Sequence, residues 1–179
     1  MRRKGRRLAK RVPWRYVEFA DAPSRLRAVE FILAQKRAQL MGDAAALETL
    51  ERVFAPFARD IFARDAVGPA GVHVAALAAG DTLLAVHLGF ADAERFYYYV
   101  PAYNPAYQAD SPGQLLIYEL VRRACEARIP VFDMLRGDYG YKWRLTDQSV
   151  ELRTLSLGLT LPGSAYLCLR KLVRGLKRK

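Results

Sequence analysis

The sequence predicts an α+β (mixed α/β) fold, and three observations predict it. Apolar residues recur at helical spacing across residues 25–63. The period then changes to two across residues 72–100, folded back at Gly80-Asp81. Residues 115–128 form a strongly amphipathic helical pattern between two strand-like runs, 95–100 and 129–135, which is the signature of a βαβ crossover.

Each element follows from its own chemistry. Residues 14–20 (WRYVEFA) carry β-favouring side chains and read as a short strand. Residues 21–24, with Pro23, form a turn in which Ser24 is placed to cap the next helix. Leu26, Val29, Leu33 and Leu40 then share a helical face over residues 25–41. Gly42-Asp43 ends that helix. A second helix over 45–63 carries Leu47, Leu50, Phe54, Phe57, Ile61 and Phe62, and Pro56 is expected to kink or split it. Three strands follow as an antiparallel meander, 72–77, 82–90 and 95–100, the last being RFYYYV. After the crossover helix and the strand 129–135, a last strand is expected over 150–161. Pro162-Gly163 should stop it, and residues 164–179 should form a basic helix.

The chain has 179 residues, enough for one ordinary domain with a sizeable core. No apolar run approaches the roughly 18 residues that a membrane span needs, and no apolar segment stands behind the basic start to make a signal peptide. Cys125 and Cys168 show no metal-ligand spacing and are expected as reduced, buried or half-buried thiols of a cytoplasmic protein.

The net charge of +11 sits at the ends. Residues 1–11 hold seven basic groups and residues 170–179 six, with no acid in either; the remaining 16 basic groups face all 18 acids. Two readings stay open: solvated ends, or segments that meet a polyanion such as tRNA or an anionic membrane surface. In the last helix Tyr166, Leu169, Leu172, Val173 and Leu176 can share one face, flanked by Arg170, Lys171, Arg174 and Lys177. Such a stripe either packs on its own domain or lies on anionic lipid. The organisation expected is a basic segment over 1–13, a domain over 14–162 and the basic helix over 163–179.

Chemistry is expected where crossover strands end, because ligands gather at those carboxyl ends in open sheets. The first such end leads into Ser111-Pro112-Gly113-Gln114. Ser111 suits a helix cap and Pro112 the first helical position, while Gly113 lets a ligand approach free N–H groups that favour phosphate. A well-capped helix explains the same residues. The second end leads into VFDMLRGDYGYKWRL, where Arg136, Asp138, Lys142 and Arg144 alternate with Tyr139, Tyr141 and Trp143. That mixture suits a pocket wall, or a loop that pairs its cations with Asp133 and Asp138. His73 and His87 lie within strands and read as structural. No Ser/His/Asp triad or metal cluster can be assembled from the sequence.

The pattern RFYYYVPAYNPAYQADSPGQLLIYEL, followed by VFDMLRGDYGYKWRL, resembles the GNAT acyltransferase superfamily. Within it the chain looks closest to the CelD-like acetyltransferases of cellulose or exopolysaccharide synthesis, which are related to FemAB-type aminoacyl transferases. The specific matches are Phe132, Asp133, Leu135, Arg136, Gly137, Asp138, Tyr141 and Lys142, together with the opening Ser111 to Gly113. Residues 108–113 (QADSPG) stand where the superfamily carries Q/R-x-x-G-x-G/A, with Ser111 in place of the first glycine. The resemblance covers about residues 70–145 and the second of two GNAT-like halves; RRKGRRLAKR resembles the segment that joins them.

The resemblance implies two splayed central strands with acyl-CoA, acetyl-CoA first among the donors, lying in the gap and no metal. Its pantetheine would lie along the strand at Tyr98, Tyr99 and Val100, and its pyrophosphate near Ser111, Gly113, Gln114 and Leu115. An amine, free or on a sugar or cell-envelope glycan, would attack the thioester directly. Asp138, Tyr141, Lys142 and Arg136 would serve the acceptor side. The same resemblance leaves open a FemAB-like transfer from aminoacyl-tRNA, and a non-catalytic half-domain that binds a membrane surface or a partner. It also leaves open a partner GNAT-like half or a homodimer, in a cytoplasmic protein that sits at the inner face of the membrane or stays free of it.

Overall fold

The computed structural model describes residues 2–68, 70–137, 139–153 and 155–176. The chain divides into two compact units, residues 1–135 and 136–179.

In the first unit a six-stranded sheet runs in the order β1-β3-β4-β5-β6, with the short β2 also paired to β3. β1 is Arg15–Glu18, β2 Ala66–Val67, β3 Ala70–Ala79, β4 Thr82–Ala91, β5 Arg95–Tyr103 and β6 Val131–Asp133. All pairs are antiparallel except β5 with β6, the parallel pair that the crossover requires. Gly80, at φ 56°, makes the β3–β4 turn that Ala79 and Thr82 flank.

Helices cover both sheet faces. On one side lie α2 (Ala22–Gln39), α3 (Ala44–Thr49) and α4 (Ala55–Ala63), which bury Ile32, Leu33, Ala58 and Phe62 against Val74, Val86 and Leu88. The cap of α2 is Asp21, whose carboxylate accepts the Ser24 N–H at 2.8 Å, rather than Ser24 itself. Pro56 does split the second helical run. Lacking an N–H, it stands in the first turn of α4 behind a π-helical turn, Leu50–Phe54, that absorbs the missing bond.

On the other face lie α1 (Arg2–Arg11) and α5 (Pro112–Glu126). Leu115, Leu116 and Leu120 of α5 meet Leu77, Leu84, Phe96 and Tyr98 there. The basic start is thus an ordered helix rather than a frayed end: Leu8 is fully buried in the same cluster, and Gly5 O accepts the Trp14 Nε1–H at 3.1 Å. An i,i+4 register lets one apolar side chain dock a helix that is otherwise cationic.

The second unit holds a 3₁₀ turn, Lys142–Arg144, and α6 (Leu161–Leu176). Residues 150–153 and 155–160 form no strand, which corrects the last strand expected over 150–161. Their alternating leucines are exposed, so the period of two is present without a neighbouring strand to satisfy it. Pro162 and Gly163 begin α6 instead of ending a strand, since proline suits a first helical turn. The side chains from Arg170 onward, and residues 177–179, lie outside the described residues, so the stripe expected there does too. Cys125 and Cys168 are free and exposed, not buried. No described helix is long and apolar enough to cross a membrane.

Candidate active site

The site grows from the way β5 parts from β6. The two strands pair only at Arg95↔Val131, Phe96↔Phe132 and Tyr97↔Asp133, while β5 continues to Tyr103. Among the described residues, the remainder of β5 therefore pairs with β4 on one side and with no strand on the other. The register fixes which groups face that side. Asn104 N–H donates to Leu84 O at 2.9 Å, so in the following pairs the bonded and non-bonded types alternate. Ala102 then bonds Val86, while Tyr103 and Pro101 turn their main-chain groups away from β4, toward the open side. Pro101 has no N–H to contribute to a ladder, and this is a position where β4 needs none.

A bulge sits at the root of the fork. Val100 pairs with Leu88 and Tyr97 with Phe90, leaving Tyr98 and Tyr99 opposite Gly89. The Tyr99 N–H is taken by His87 Nε2 at 3.3 Å. The His87 ring is fully buried and lies parallel to Tyr98, centroids 4.7 Å apart at 6°. A Cβ at Gly89 would collide with Tyr97 O and with the His87 ring, so glycine is required there. Burial, and secondarily His73, push the His87 imidazole well below its ordinary range. The neutral ring that accepts at Nε2 carries its proton on Nδ1, which finds no partner among the described residues.

The start of α5 forms the second wall. Ser111 has φ 55°, the left-handed region that glycine usually fills. Its side chain does not cap α5. Instead Ser111 O accepts from Gln114 N at 3.0 Å and Leu115 N at 3.2 Å, and Ser111 Oγ accepts from Lys4 Nζ at 3.2 Å. Lys4 also donates to Gln114 Oε1. The Gly113 N–H has no acceptor among the described residues, and a Cβ there would meet only the Tyr103 side chain, at 3.6 Å. A donor N–H and an ammonium with neutral partners therefore converge at the helix start, beside the last residue of β5.

Asp110 precedes this corner and would repel an anion if left alone. It is buried, and Arg7 Nε holds its Oδ1 at 2.8 Å while Arg11 bonds Oδ2. Arg7 also bonds Ala109 O, and the Arg11 guanidinium lies 5.6 Å from the Tyr107 ring centroid. The α1 arginines thus cancel the acid, and Lys4 adds a further positive charge.

Of the residues expected to line the donor site, Tyr98, Tyr99 and Val100 lie at the bulge, and Ser111, Gly113, Gln114 and Leu115 at the helix start, with Gly113 against Tyr103. Two of them contribute main chain only. Leu115 is buried in the core, and the Tyr98 ring is stacked on His87. The Tyr99 ring faces Phe54 at 6.4 Å and Phe90 at 6.0 Å, and burial raises its phenol. Asp133 is ion-paired with Arg95 at 2.8 Å and accepts the Leu135 N–H at 2.7 Å.

In the second unit Lys142 Nζ donates to Arg136 O at 3.0 Å and lies 5.4 Å from the Tyr139 ring centroid. This anchors the turn and leaves Lys142 buried. Tyr139 and Tyr141 stack at 6.2 Å, and burial, then Tyr139, raises the Tyr141 phenol. Asp138 lies outside the described residues. No cluster of three metal-ligating side chains occurs among the described residues.

The sequence reading passed over Lys4, Arg7 and Arg11 as site neighbours, and His87, Gly89 and Pro101 as makers of the fork. A glycine and a proline inside strand patterns were the available signals.

A family described as acetyltransferase (GNAT) domain matches residues 1–143. Solved structures resemble the chain at low identity. A possible acetyltransferase from Clostridium difficile 630 is 6% identical with a TM-score of 0.58, over 80% of this chain and 97% of that one. An aminoglycoside acetyltransferase from an uncultured soil metagenomic sample is 13% identical with a TM-score of 0.52, over 82% and 99%. A ribosomal-protein-alanine N-acetyltransferase from Brucella melitensis biovar Abortus 2308 is 10% identical with a TM-score of 0.50, over 79% and 99%. At these identities the likeness is one of fold. No curated protein sequence matches the chain.

Proposed function

The chain belongs to the acetyltransferase (GNAT) domain family, and from that premise we propose that it transfers an acyl group from acyl-CoA to an amine by direct attack on the thioester. The observation that carries the reading is the flank of β5 left without a described strand partner, ending at a helix start where the Gly113 N–H has no acceptor among the described residues and Lys4 bonds Ser111. When bound, the donor supplies the activated acyl group. The protein's part is to hold and orient it.

The chain's own groups fit such a donor. The Pro101 and Tyr103 carbonyls and the Tyr103 N–H suit the amides of an extended pantetheine arm. The Gly113 N–H and Lys4 Nζ suit its phosphates, and the Arg7–Asp110–Arg11 cluster removes the charge that would oppose them. No covalent enzyme intermediate is invoked, so rate comes from positioning and from removal of a proton from the attacking amine. The proposal assigns that proton to Asp138. It gives Tyr141 and Arg136 a part in acceptor binding, and it keeps Lys142, whose ammonium is tied to Arg136 O, as a brace. The acceptor proposed is an amine on a sugar or cell-envelope glycan, as the CelD-like resemblance implies.

Calorimetric titration with acetyl-CoA tests the reading, comparing the parent with Gly113→Trp. Binding in the parent that the indole abolishes is the expected result. A parent that takes up no acetyl-CoA overturns it.

A further inference from the structure

An antiparallel strand pair gives every inward N–H a carbonyl, but a bulge leaves one N–H over. In a buried sheet that N–H must find another acceptor. Here the surplus group is the Tyr99 amide. The register makes Val100 and Leu88 a bonded pair, so Leu88 O faces the Val100 N–H rather than that of Tyr99. The acceptor that Tyr99 uses is the side chain of His87, one residue earlier on β4.

We propose that His87 is a positioning residue of the donor slot, its Nε2 pinning the Tyr99 amide and so fixing the bulge that carries the far half of β5 away from β6. The inference rests on the reading of that slot as the donor site.

Three features single out histidine. The ring fits flat against Tyr98 and lies within 5.5 Å of Phe96, filling the space that Gly89 leaves by having no Cβ. The acceptor must be a side-chain atom, since the main chain of β4 is committed to its own ladder. And the ring keeps a buried Nδ1–H with no acceptor among the described residues. Phenylalanine or leucine would fill the same volume without that unsatisfied group, so packing alone does not explain the residue. Without the pin, the bulge can slide by one residue. A slide of one exchanges the faces of Tyr98 and Tyr99, removing the stacked ring from one side of the sheet and the Phe54 contact from the other.

The experiment compares the parent, His87→Leu and His87→Gln. The glutamine side chain restores an acceptor; leucine restores only volume. Acetyl-CoA affinity is measured by calorimetry, and hydrogen exchange of the Tyr99 amide by NMR. The expected result is roughly ten-fold weaker binding and roughly ten-fold faster Tyr99 exchange in His87→Leu, with recovery of most of both in His87→Gln. Parent-like behaviour of His87→Leu, or equal loss in both variants, overturns the proposal. If His87→Leu fails to fold, the parent's ¹⁵N spectrum decides. A non-protonated Nε2 beside a slowly exchanging Tyr99 amide supports the pin, and a protonated Nε2 or a fast-exchanging amide sinks it. A parent that binds no acetyl-CoA removes the donor reading alone, and the Tyr99 exchange comparison still decides for or against His87.

Discussion

Arg7 Nε lies 2.8 Å from Asp110 Oδ1, and the side chain of the aspartate it meets is only 3% exposed. With Arg11 on the second oxygen, one acid receives two guanidinium groups from a helix about a hundred residues away in sequence. Removing both arginines should strand the carboxylate. The arginines are themselves half exposed, which places the loss near the lower end for a broken buried pair, about 3 kcal/mol. Arg7→Ala/Arg11→Ala should therefore lower the denaturation midpoint clearly, and adding Asp110→Asn should restore most of it. A double variant as stable as the parent contradicts the assignment.

Lys4 should matter for donor binding more than for stability, because its partners Ser111 Oγ and Gln114 Oε1 are neutral. Lys4→Ala should weaken acetyl-CoA by roughly ten-fold, the scale of a lost hydrogen bond to a charged group, and the effect should shrink with added salt. Titrating dephospho-CoA beside CoA shows which phosphate is met. Unchanged affinity for both removes Lys4 from the site.

Gly89 should tolerate no side chain. Gly89→Ala forces a methyl group into Tyr97 O and the His87 ring, and such overpacking costs about 1–3 kcal/mol. Donor affinity should fall with it, since the same groups shape the bulge. Chemical denaturation beside calorimetry checks both, and an alanine variant equal to the parent in each would show that the bulge has room to spare.

Leu8 tests whether the basic helix is docked. It is fully buried, so Leu8→Ala should cost about 2–4 kcal/mol, with increased exchange confined first to residues of α1. A change within experimental error would mean that α1 contributes nothing to the core.

Acid should weaken the fold through its histidines. Burial lowers the pKa of His87, with His73 adding to the effect; burial also lowers His73, against the pull of Glu18. Folded-state values below the unfolded one mean that the unfolded chain binds more protons. This contribution is complete above the ordinary histidine value of about 6.5 and declines as the pH drops beneath it. Denaturant midpoints should therefore fall from about pH 7.5 to about pH 5.5, and less steeply in His87→Gln. Equal slopes in parent and variant contradict the assignment to His87.

Much of the sheet was legible because its signals are local. Gly80-Asp81 fixes a hairpin, and an amphipathic helix between two β-rich runs fixes a parallel crossover. The bulge was hidden because Phe96, Tyr97, Tyr98, Tyr99 and Val100 all favour strands, so an added residue leaves no mark on composition. The docking of helix α1 was hidden because its arginines look solvated until Asp110 is placed among them, which left a solvated end and a polyanion-binding segment equally open. Residues 150–161 misled in the other direction: Leu155, Leu157, Leu159 and Leu161 alternate as a strand would, but a strand also needs a neighbour, and no pattern within one segment can supply it.

Pro101 has one more effect. An open β-edge invites other polypeptides to add themselves to it, and that invitation depends on an unbroken row of amide hydrogens. By deleting one at the middle of the flank that turns away from β4, Pro101 makes β5 a poor template for an invading chain, while the carbonyls on that side still suit a smaller guest. The fork can thus stay ajar without becoming a seed for aggregation.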